Sequence, residues 1–520
     1  MNLAQELSRS FQRYVNKTAI VFEGRSYRYR EMDEEVRKRA LWLQEAGIQK
    51  GDRIALLLPK GMEFIFLHLA ALSVGAISLP LNPAYSGEEI TYYLADSGSS
   101  LVVTDAVGLE RMGKLPESVE GAKTLLTDDS SPDGWAPLPR EMEKIGAGDV
   151  RAYPAQDDEV AMIIYTSGTT GKAKGAMITH RNLVTNMLAL ENIWEWAERD
   201  VLLHVLPLFH IHGLVVALHG GLHAGSTIIM HENFDPQRAW RTIEKEKCTL
   251  LMGVPTVYHR LLKEWGAVKP ELRTMRIFIS GSAPLSESLF HRFEETTGFR
   301  ILERYGMTET GIITSNPLDP LRRNPNSVGY PLPGVQLRIM SERGQEVPSG
   351  EVGEVWIQGD NVFKGYWQMP EKAKESFEGG WFKSGDLGYQ DPEDSLRLYL
   401  VGRAKELIIT GGYNVYPKEV ENVLEKHEAI QEVAVIGLPD EDFGERVTAV
   451  VVFKKDQIPP PLKTIIAFCK KHLAGYKCPK EILVVDQLPR NAMGKIQKGI
   501  FQKSCSAQPF YRGKWNLPYS

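Results

Sequence analysis

The chain has 520 residues, of which 43% are hydrophobic and 24% charged, and its formal net charge is -5. This length exceeds what one hydrophobic core usually supports, so at least two domains are expected, and the ordinary composition excludes a largely disordered chain. The four cysteines are widely spaced and form no CxxC pair, which argues against a disulfide framework or a structural zinc site and for a reducing compartment.

The start of the chain and one apolar stretch bear on where the protein resides. Residues 1–21 include Glu6 among basic residues and have no apolar core like that of a secretion signal, which predicts a cytoplasmic protein. Residues 64–80 are largely apolar but contain His68 and Gly75, so they predict a buried helix that ends at Gly75, followed by a short strand. No membrane span is expected.

Residues 36–222 alternate apolar, strand-like runs with helical patterns, and two similar units follow them. This alternation is typical of an α/β fold, with layers built on a largely parallel sheet. From Gly329 onward, short strand-like runs with frequent Gly and Pro predict a small β subdomain. The runs that carry the first prediction are 54–58, 101–104, 160–164, 201–206, 249–252 and 276–280.

The pattern changes again near residue 402. The remaining roughly one hundred residues are enough for an independent α+β domain. They contain strand-like runs at 407–410, 432–436 and 448–452, and a helix whose first turn holds Pro417. The predicted organisation is an N-terminal domain of residues 1–402, a hinge at 403–405 and a smaller C-terminal domain of residues 406–520.

A glycine-rich segment at 165–175 follows the apolar run 160–164 and precedes an amphipathic segment that begins near Thr179, which predicts a strand-to-helix connection. Its three glycines let the backbone approach an anion, and its hydroxyl and ammonium groups suit the phosphates of a nucleotide. It is not the usual P-loop, because only two residues separate its first glycines. A Ser/Thr/Gly linker is the alternative. The candidate phosphate-binding residues are Thr166, Ser167, Gly168, Thr169, Thr170, Gly171, Lys172 and Lys174.

Four further segments follow this loop in a fixed order, at 304–310, 384–386, 402–403 and 490–495. In that order and at those spacings, the five segments resemble the acyl-CoA synthetases of the adenylate-forming superfamily. The resemblance implies an N-terminal domain that bears the active-site face and a C-terminal lid that rotates between two half-reactions. In the first, a carboxylate and ATP give an acyl-adenylate and pyrophosphate; in the second, coenzyme A gives acyl-CoA and AMP.

The resemblance implies roles for the charged residues of the first half-reaction. Lys495 would bridge the attacking carboxylate and the α-phosphate, since two anions must meet there. Glu309 and Thr169 would hold Mg²⁺, and Thr308 would contact phosphates. Read alone, Lys495 is a solvated lysine and Glu309 a charge at a helix N-terminus, so these roles depend on the set as a whole.

Other segments would bind the nucleotide. By the same resemblance, Asp386 and Arg403 would bind the ribose hydroxyls and Tyr305 would stack on the adenine. The stretch 280–284 would run beside the adenine and the acyl group. The further residues assigned to cofactor binding are Ser282, Ala283, Pro284, Glu303, Arg304, Gly306 and Met307.

The hinge position of the resembled family falls on Lys405. Rotation there would swing Gly411, Gly412 and Tyr413 toward the thiol tunnel. From Lys454 to the end, the chain has 13 Lys and Arg against 3 Asp and Glu, so this piece would suit the phosphates of coenzyme A. A solvated, lysine-rich surface is an equal alternative.

Half of the 12 histidines lie between His204 and His231, and some spacings would suit a metal. No cysteine lies near them. The segment 206–213 also matches the family motif whose aromatic and histidine side chains line the acyl and thiol channel, which makes His210 a candidate catalytic residue. The six histidines are His204, His210, His212, His219, His223 and His231.

Residues 253–260, and 303–310 followed by 314–317, are similar to malonyl-CoA synthetases in particular. That similarity implies that Arg260 pairs with the distal carboxylate of the substrate, as a buried guanidinium would. Its alternative is an arginine that reaches solvent from a helix. Ser280, Gly281 and Met307 would also contact the substrate.

Other substrates and functions stay open. If Arg260 faces solvent, a pocket formed by Met252, Val254, Ile279 and Ile312 would suit a neutral aliphatic, alicyclic or aromatic acid. A different class is an acid-activating module that loads a carrier protein, or a nucleotide binder without turnover. The expected partners are a small carboxylic acid, ATP and coenzyme A; no nucleic acid is expected, and the chain is expected to be a monomer or homodimer.

Overall fold

The secondary structure is taken from a computed structural model, which describes residues 2–119, 121–127, 135–145, 150, 156–166, 173–411, 413–440, 442–454, 460–491 and 494–507. The helices within these ranges are α1 (Leu3–Arg13), α2 (Tyr29–Glu45), α3 (Met62–Ser73), α4 (Gly87–Ser97), α5 (Ala106–Met112), α6 (Leu138–Lys144), α7 (His180–Ile193), α8 (Gly220–His223), α9 (Pro236–Lys245), α10 (Pro255–Val268), α11 (Glu287–Thr297), α12 (Pro370–Ser376), α13 (Pro417–Leu424), α14 (Leu462–Cys469) and α15 (Lys498–Ala507). A π-helix spans His212–His219, and short 3-10 turns span Glu117–Val119, Pro320–Arg322, Ala404–Glu406 and Gly475–Lys477.

The strands in the same ranges are β1 (Thr18–Phe22), β2 (Arg25–Arg28), β3 (Arg53–Leu57), β4 (Ile77–Pro80), β5 (Leu101–Thr104), β6 (Lys123–Leu126), β7 (Ala136–Pro137), β8 (Val160–Thr166), β9 (Lys174–Thr179), β10 (Val201–His204), β11 (Thr227–Met230), β12 (Leu250–Gly253), β13 (Ile277–Ser280), β14 (Leu302–Met307), β15 (Gly311–Ser315), β16 (Ser327–Pro331), β17 (Gln336–Met340), β18 (Gly353–Gln358), β19 (Gly365–Tyr366), β20 (Phe377–Glu378), β21 (Trp381–Gln390), β22 (Leu398–Arg403), β23 (Ile408–Thr410), β24 (Tyr413–Val415), β25 (Ile430–Asp440), β26 (Gly444–Phe453) and β27 (Glu481–Val484).

The larger sheet has the order β17-β18-β21-β22-β16-β15-β14-β13-β12-β10-β11-β1-β2, with β20 beside β21. Its middle, from β14 to β1, is parallel, and its strands are apolar on both faces because helices cover them. This parallel centre confirms the predicted α/β fold class. The short strands expected after Gly329 continue the same sheet as β17, β18, β21 and β22, and they pack on a core of their own.

The second sheet has the order β19-β9-β8-β4-β3-β5-β6-β7 and is parallel from β8 to β7. Helix α3 is buried nearly all round and connects this sheet to the larger one, as its apolar sequence predicts. His68 of α3 hydrogen-bonds Ser78 of β4 on one side and His219 of the π-helix on the other. Ligand sites of α/β folds usually lie in the crevice at the carboxyl ends of the parallel strands.

A smaller antiparallel sheet has the order β24-β23-β26-β25, with β27 parallel to β26. Helices α13 and α14 pack on it around a separate core that includes Val420, Leu424 and Ile465. The 3-10 turn Ala404–Glu406 joins β22 to this unit, which we call the lid. The proposed hinge at 403–405 falls at this junction, and the domain bounds themselves stay a prediction.

The prediction of a strand-to-helix connection at the glycine-rich segment is wrong. Residues 174–179 form β9, which pairs antiparallel with β8, so the segment joins two strands of a hairpin. Helix α7 starts only after β9, with Thr179 as its N-cap. Pairing with β8 on one edge and β19 on the other stabilises as a strand a stretch whose local pattern suggested a helix start.

Among the described residues, no helix combines the length and apolar character needed to cross a membrane. Helix α3 ends at Ser73, and the chain then turns at Gly75 into β4. The expected buried helix and short strand at 64–80 are therefore confirmed.

Candidate active site

The predicted ribose-binding pair lies on adjacent strands. Asp386 of β21 is opposite Arg403 of β22, and the Arg403 Nε lies 2.9 Å from Asp386 Oδ1. Tyr305 of β14 donates its hydroxyl to Asp386 Oδ2 at 2.5 Å. The structure thus brings together three residues that the sequence assigned to the nucleotide, although Tyr305 lies 81 residues before Asp386 in the chain. Their roles toward a nucleotide stay predictions.

A second group surrounds Glu309. Its carboxylate is buried and accepts a hydrogen bond from the hydroxyl of Tyr366 at 3.1 Å. The ammonium of Lys174 lies 5.0 Å from the centre of the Tyr366 ring, a cation–π distance. Burial raises the pKa of Glu309, while Arg403 opposes that rise. The neighbours of Glu309 therefore do not fully compensate the charge of its carboxylate, and a cation or metal ion beside it would be stabilised.

Lys495 reaches this crevice from the lid. It is half-buried, and burial followed by the charge of Arg403 lowers its pKa, whereas Asp386 and Glu406 raise it. Its backbone N–H donates to Asn491 Oδ1 at 3.0 Å. The neighbouring Gly494 is left-handed, and a Cβ there would lie 2.9 Å from the Thr256 hydroxyl at the start of α10. The lid is therefore closed against the end of β12 with Lys495 near the Asp386 pair.

Arg304 of β14 is an unusual buried cation. It is 3% exposed, and within the described ranges its Nε and Nη2 have no hydrogen-bond partner and no carboxylate pairs with it. Burial lowers its pKa to about 9, so it stays protonated near neutral pH. The guanidinium packs on Gly281, where an added Cβ would lie 2.4 Å from the arginine Cζ. A charge so placed needs a counter-charge from elsewhere.

The residues around Gly281 supply polar groups near this guanidinium. Ser282 is held at φ +69 and its hydroxyl lies 3.2 Å from His212 Nδ1. The Nε2 of His212 and the hydroxyl of Ser280 are buried without a hydrogen-bond partner in the described part of the chain. A non-glycine residue with positive φ is strained, and such strain concentrates at functional sites. We call the cluster formed by Arg304, Gly281, Ser280, Ser282 and His212 the acid end, after the role that we propose for it.

Arg260 does not belong to the acid end. It is exposed on α10, whose buried stripe consists of Val257, Tyr258 and Leu261. The burial expected of a receptor for the distal carboxylate is therefore not met, and its role stays a prediction. The apolar walls named as the alternative pocket are all buried: Met252, Val254, Ile279 and Ile312.

The clustered histidines are mostly structural. His68 and His219 stack with their Nε2 atoms 2.9 Å apart, His204 Nε2 donates to the Gly213 carbonyl at 2.8 Å, and His223 pairs with Glu191. No set of three His, Cys, Asp or Glu side chains in the described ranges is arranged to hold a metal. The ring of His210 packs against that of Phe209 at an interplanar angle of 53°, and burial lowers the pKa of His210 to about 4.

Because these histidines are buried, the folded protein is expected to lose stability at acidic pH. Burial lowers the pKa of His68, His204, His212 and His219 below the ordinary value, so below pH 6.5 the unfolded chain binds protons that the folded chain does not. Stability is then full above pH 6.5 and is lost as the pH falls toward the folded-state values. Each of these histidines lowers the free energy of unfolding by at most about 1.4 kcal/mol per pH unit as the pH falls. Together they lower it by several kcal/mol between pH 6.5 and 5.5.

Thermal unfolding at pH 7.5, 6.5 and 5.5 measures this loss. His219→Leu is expected to reduce the number of protons taken up on unfolding by about one, and with it the dependence of the free energy of unfolding on pH. Replacing the exposed His291 by Gln is expected to leave that dependence unchanged. A melting temperature that stays constant down to pH 5.5 would contradict the assignment of neutral, buried imidazoles.

The other predicted residues lie around the same crevice or outside the described ranges. Glu303 is buried in β14, accepts the Leu285 N–H at 2.9 Å, and burial raises its pKa to about 7. Thr166 ends β8; Ala283, Gly306, Met307 and Thr308 are half-buried; Pro284, Lys405, Gly411 and Tyr413 are exposed. Outside the described residues lie Ser167, Gly168, Thr169, Thr170, Gly171, Lys172 and Gly412.

Sequence reasoning missed Tyr366 as a partner of Glu309, and it assigned Arg304 to the nucleotide without indicating that its guanidinium is buried with no carboxylate partner among the described residues. Tyr366 lies 57 residues from Glu309 and belongs to no segment that was singled out. A signal for Arg304 was present, since an arginine inside the strand 302–307 needs a special reason to be buried.

Known families match most of the chain. A family model described as "AMP-binding enzyme" matches residues 7–367, and one described as "AMP-binding enzyme C-terminal domain" matches residues 419–495. The chain is 35% identical to the mitochondrial malonate–CoA ligase ACSF3 of Mus musculus, over 93% of this chain and 88% of that protein. It is 33% identical to a long-chain-fatty-acid–CoA ligase of Bacillus subtilis, over 94% and 92% respectively.

A solved structure also matches. ATP-bound MatB from Rhodopseudomonas palustris is 40% identical and gives a TM-score of 0.90 over 98% of this chain and 99% of that one. The apo crystal structure of the same protein gives 0.80. The arrangement described above is therefore more similar to the ATP-bound form than to the apo form.

Proposed function

Because the chain belongs to the family of AMP-binding enzymes, we propose that it activates a small dicarboxylate, malonate or methylmalonate, and joins it to coenzyme A. It is an AMP-forming carboxylate–CoA ligase, an acid–thiol ligase that uses ATP and coenzyme A. The relatives differ in their acids, since one is named for malonate and another for long-chain fatty acids. Similarity alone does not choose the substrate.

The buried guanidinium of Arg304 carries the choice of a dicarboxylate. Leaving such a charge unpaired in a protein interior costs several kcal/mol, so a site that retains it needs a ligand that neutralises it. A carboxylate is the natural partner, because it accepts two parallel hydrogen bonds from the guanidinium fork. A neutral acid would leave Arg304 unpaired, which disfavours it although the remaining walls are apolar.

The other carboxylate of malonate is the one that reacts. One of its oxygens attacks the α-phosphorus of ATP, the bond from that phosphorus to the bridging oxygen breaks, and pyrophosphate leaves. The Lys495 ammonium, held by the lid near Asp386 and Arg403, reduces the repulsion between the two anions in this transition state. The resulting malonyl-adenylate is an activated ester.

In the second half-reaction the thiolate of coenzyme A attacks the carbonyl carbon of malonyl-adenylate, and AMP departs with the electron pair of the broken bond. For the thiol to approach, Lys495 and its turn withdraw as the lid rotates near Lys405. Asp386 and Arg403 are proposed to hold the ribose, with Tyr305 against the adenine. The contacts of Asp386 with Arg403 and with Tyr305 support these assignments.

Magnesium fits the phosphate end of the site. Mg²⁺ is usually held by one or two carboxylates together with substrate phosphates, and buried Glu309 offers one carboxylate there. Thr169 is proposed as the second ligand. When bound, the ion would neutralise charge on the ATP phosphates.

Two alternatives concern the acid and the acceptor of the acyl group. The buried walls Met252, Val254, Ile279 and Ile312 would suit a neutral aliphatic, alicyclic or aromatic acid if Arg304 had another partner. Transfer to a carrier protein in place of coenzyme A is the alternative of another class. A cytoplasmic location is proposed from the sequence alone.

The test is acid-dependent ATP–pyrophosphate exchange across malonate, methylmalonate, acetate, benzoate, cyclohexane carboxylate and a medium-chain acid. Malonate or methylmalonate is expected to exceed every neutral acid in kcat/KM by about 100-fold or more, since truncating one partner of a buried charge pair costs 2 to 5 kcal/mol. Faster exchange with a neutral acid would overturn the proposed substrate but leave the ligase activity standing.

A further inference from the structure

A second lysine, Lys498, lies three residues beyond Lys495 and is the first residue of α15. Its Nζ lies 2.7 Å from Glu421 Oε1 and 3.2 Å from Glu406 Oε2. The side chains of Lys498 and Glu421 are 17% and 10% exposed, so solvent screens this pair little. The helix dipole disfavours a cation at a helix N-terminus, so α15 itself does not explain a lysine at this position. The two carboxylates that pair with Lys498 do explain it.

These carboxylates belong to different parts of the lid. Glu406 ends the 3-10 turn that follows Arg403 at the proposed hinge. Glu421 lies in α13 and also accepts the backbone N–H of Val435 in β25 at 2.9 Å. Lys498 therefore connects the hinge turn, a lid helix and the lid sheet to the segment that carries Lys495.

The turn that carries Lys495 is held at both ends. Asn491 donates its N–H to the Lys495 carbonyl at 2.9 Å and accepts the Lys495 N–H at 3.0 Å. On the N-terminal side, Arg490 pairs with Glu432 at 2.9 Å. On the C-terminal side the pairing group is Lys498. Because its own hydrogen bonds close this turn, it moves as a unit with the segments on either side of it. The positions of those two segments therefore determine the direction of the Lys495 side chain.

The charge of Glu406 acts on Lys495 as well as on Lys498. Its carboxylate raises the pKa of Lys495, and the ammonium of Lys498 lowers it, so both charges are felt at the Lys495 ammonium. Without Lys498, Glu406 would be an uncompensated carboxylate close to Lys495. It would then compete with the substrates for the ammonium that the first half-reaction needs.

We propose that Lys498 is a positioning residue for Lys495: by pairing with Glu406 and Glu421, it prevents Glu406 from capturing the Lys495 ammonium and directs the turn toward the crevice. This inference rests on the proposed role of Lys495 in acid activation. It assigns Lys498 no contact with substrate, so its effect is exerted entirely through Lys495.

The test compares Lys498→Met, Glu406→Gln and the double variant in ATP–pyrophosphate exchange, using whichever acid the unmodified enzyme exchanges fastest. Lys498→Met is expected to slow exchange about 30-fold, and Glu406→Gln alone about threefold or less. The double variant is expected to recover about tenfold over Lys498→Met, because the competing carboxylate is gone. Lys498→Arg, which keeps the charge, is expected to stay within about fivefold of the unmodified rate.

A purely structural role for Lys498 predicts a different pattern, in which the double variant is as slow as Lys498→Met. That result, or an unchanged rate in Lys498→Met, would overturn the inference. If burial of an unpaired Glu421 prevents Lys498→Met from folding, the same comparison is made with Glu421→Gln present in every member. Lys426→Met is the matched control, since it removes an exposed ion pair between the lid and Glu287.

Lys495→Met measured alongside separates this inference from the proposed function. If Lys495→Met exchanges as fast as the unmodified enzyme, the role of Lys495 fails and the inference fails with it. If Lys495→Met is inactive and Lys498→Met is fully active, the proposed function stands and the inference alone is wrong.

Discussion

Replacing Arg304 by methionine is expected to lower kcat/KM for malonate by about 1,000-fold, because the second carboxylate loses the buried cation that would receive it. The same change is expected to leave kcat/KM for butyrate within about tenfold of the unmodified enzyme, or to raise it, since an unpaired charge leaves an otherwise apolar pocket. The measurement is pyrophosphate exchange with both acids on both enzymes.

Two controls separate this result from misfolding. Removing a buried, unpaired charge relieves a desolvation penalty, so the free energy of unfolding of Arg304→Met is expected to stay equal or to rise. Arg260→Ala changes an arginine that is exposed on α10 and is expected to keep malonate exchange within about threefold. Malonate exchange that survives Arg304→Met but is lost in Arg260→Ala would restore Arg260 as the receptor.

Replacing Lys495 by methionine is expected to slow malonate-dependent pyrophosphate exchange by about 1,000-fold, the usual effect of removing one charged donor from a transition state. Conversion of supplied malonyl-adenylate and coenzyme A to malonyl-CoA is expected to stay within about tenfold, because the ammonium has withdrawn by then. Rapid quenching of each half-reaction separately measures the two effects.

Lys463→Met is the control for this prediction. Lys463 is an exposed lysine of the same domain, on α14, and its replacement is expected to change neither half-reaction. Equal losses in both half-reactions of Lys495→Met would contradict a role confined to the first.

Much of the fold was predictable from the sequence because each parallel strand is a short apolar run that a helix follows. The runs at 101–104 and 276–280 correspond closely to β5 and β13. Hairpin β8–β9 was not predictable, since its second strand begins with Lys174 and Gly175, which favour a loop. Pairing with β19, which is distant in the sequence, stabilises that strand, and the local sequence pattern does not indicate this pairing.

The site shows the same limit. Motif order indicated that Asp386, Arg403 and Tyr305 lie near one another: the first two lie on adjacent strands, and Tyr305 hydrogen-bonds Asp386 from β14. Arg260, which the similarity assigned to the distal carboxylate, is exposed: it lies one position off the buried stripe of α10, and a shift of one residue on a helix turns a side chain by 100°. The burial of Arg304 depends on how β13 and β14 pair, which the sequence alone does not specify.

The most direct test of the account compares malonate with monomethyl malonate in AMP formation dependent on ATP and coenzyme A. The ester keeps one carboxylate for activation and nearly the same shape, but it lacks the second charge. If the guanidinium at the acid end receives that charge, kcat/KM for malonate exceeds that for the ester by about 100-fold or more. Equal values for the two acids would contradict the central claim that this ligase selects a dicarboxylate.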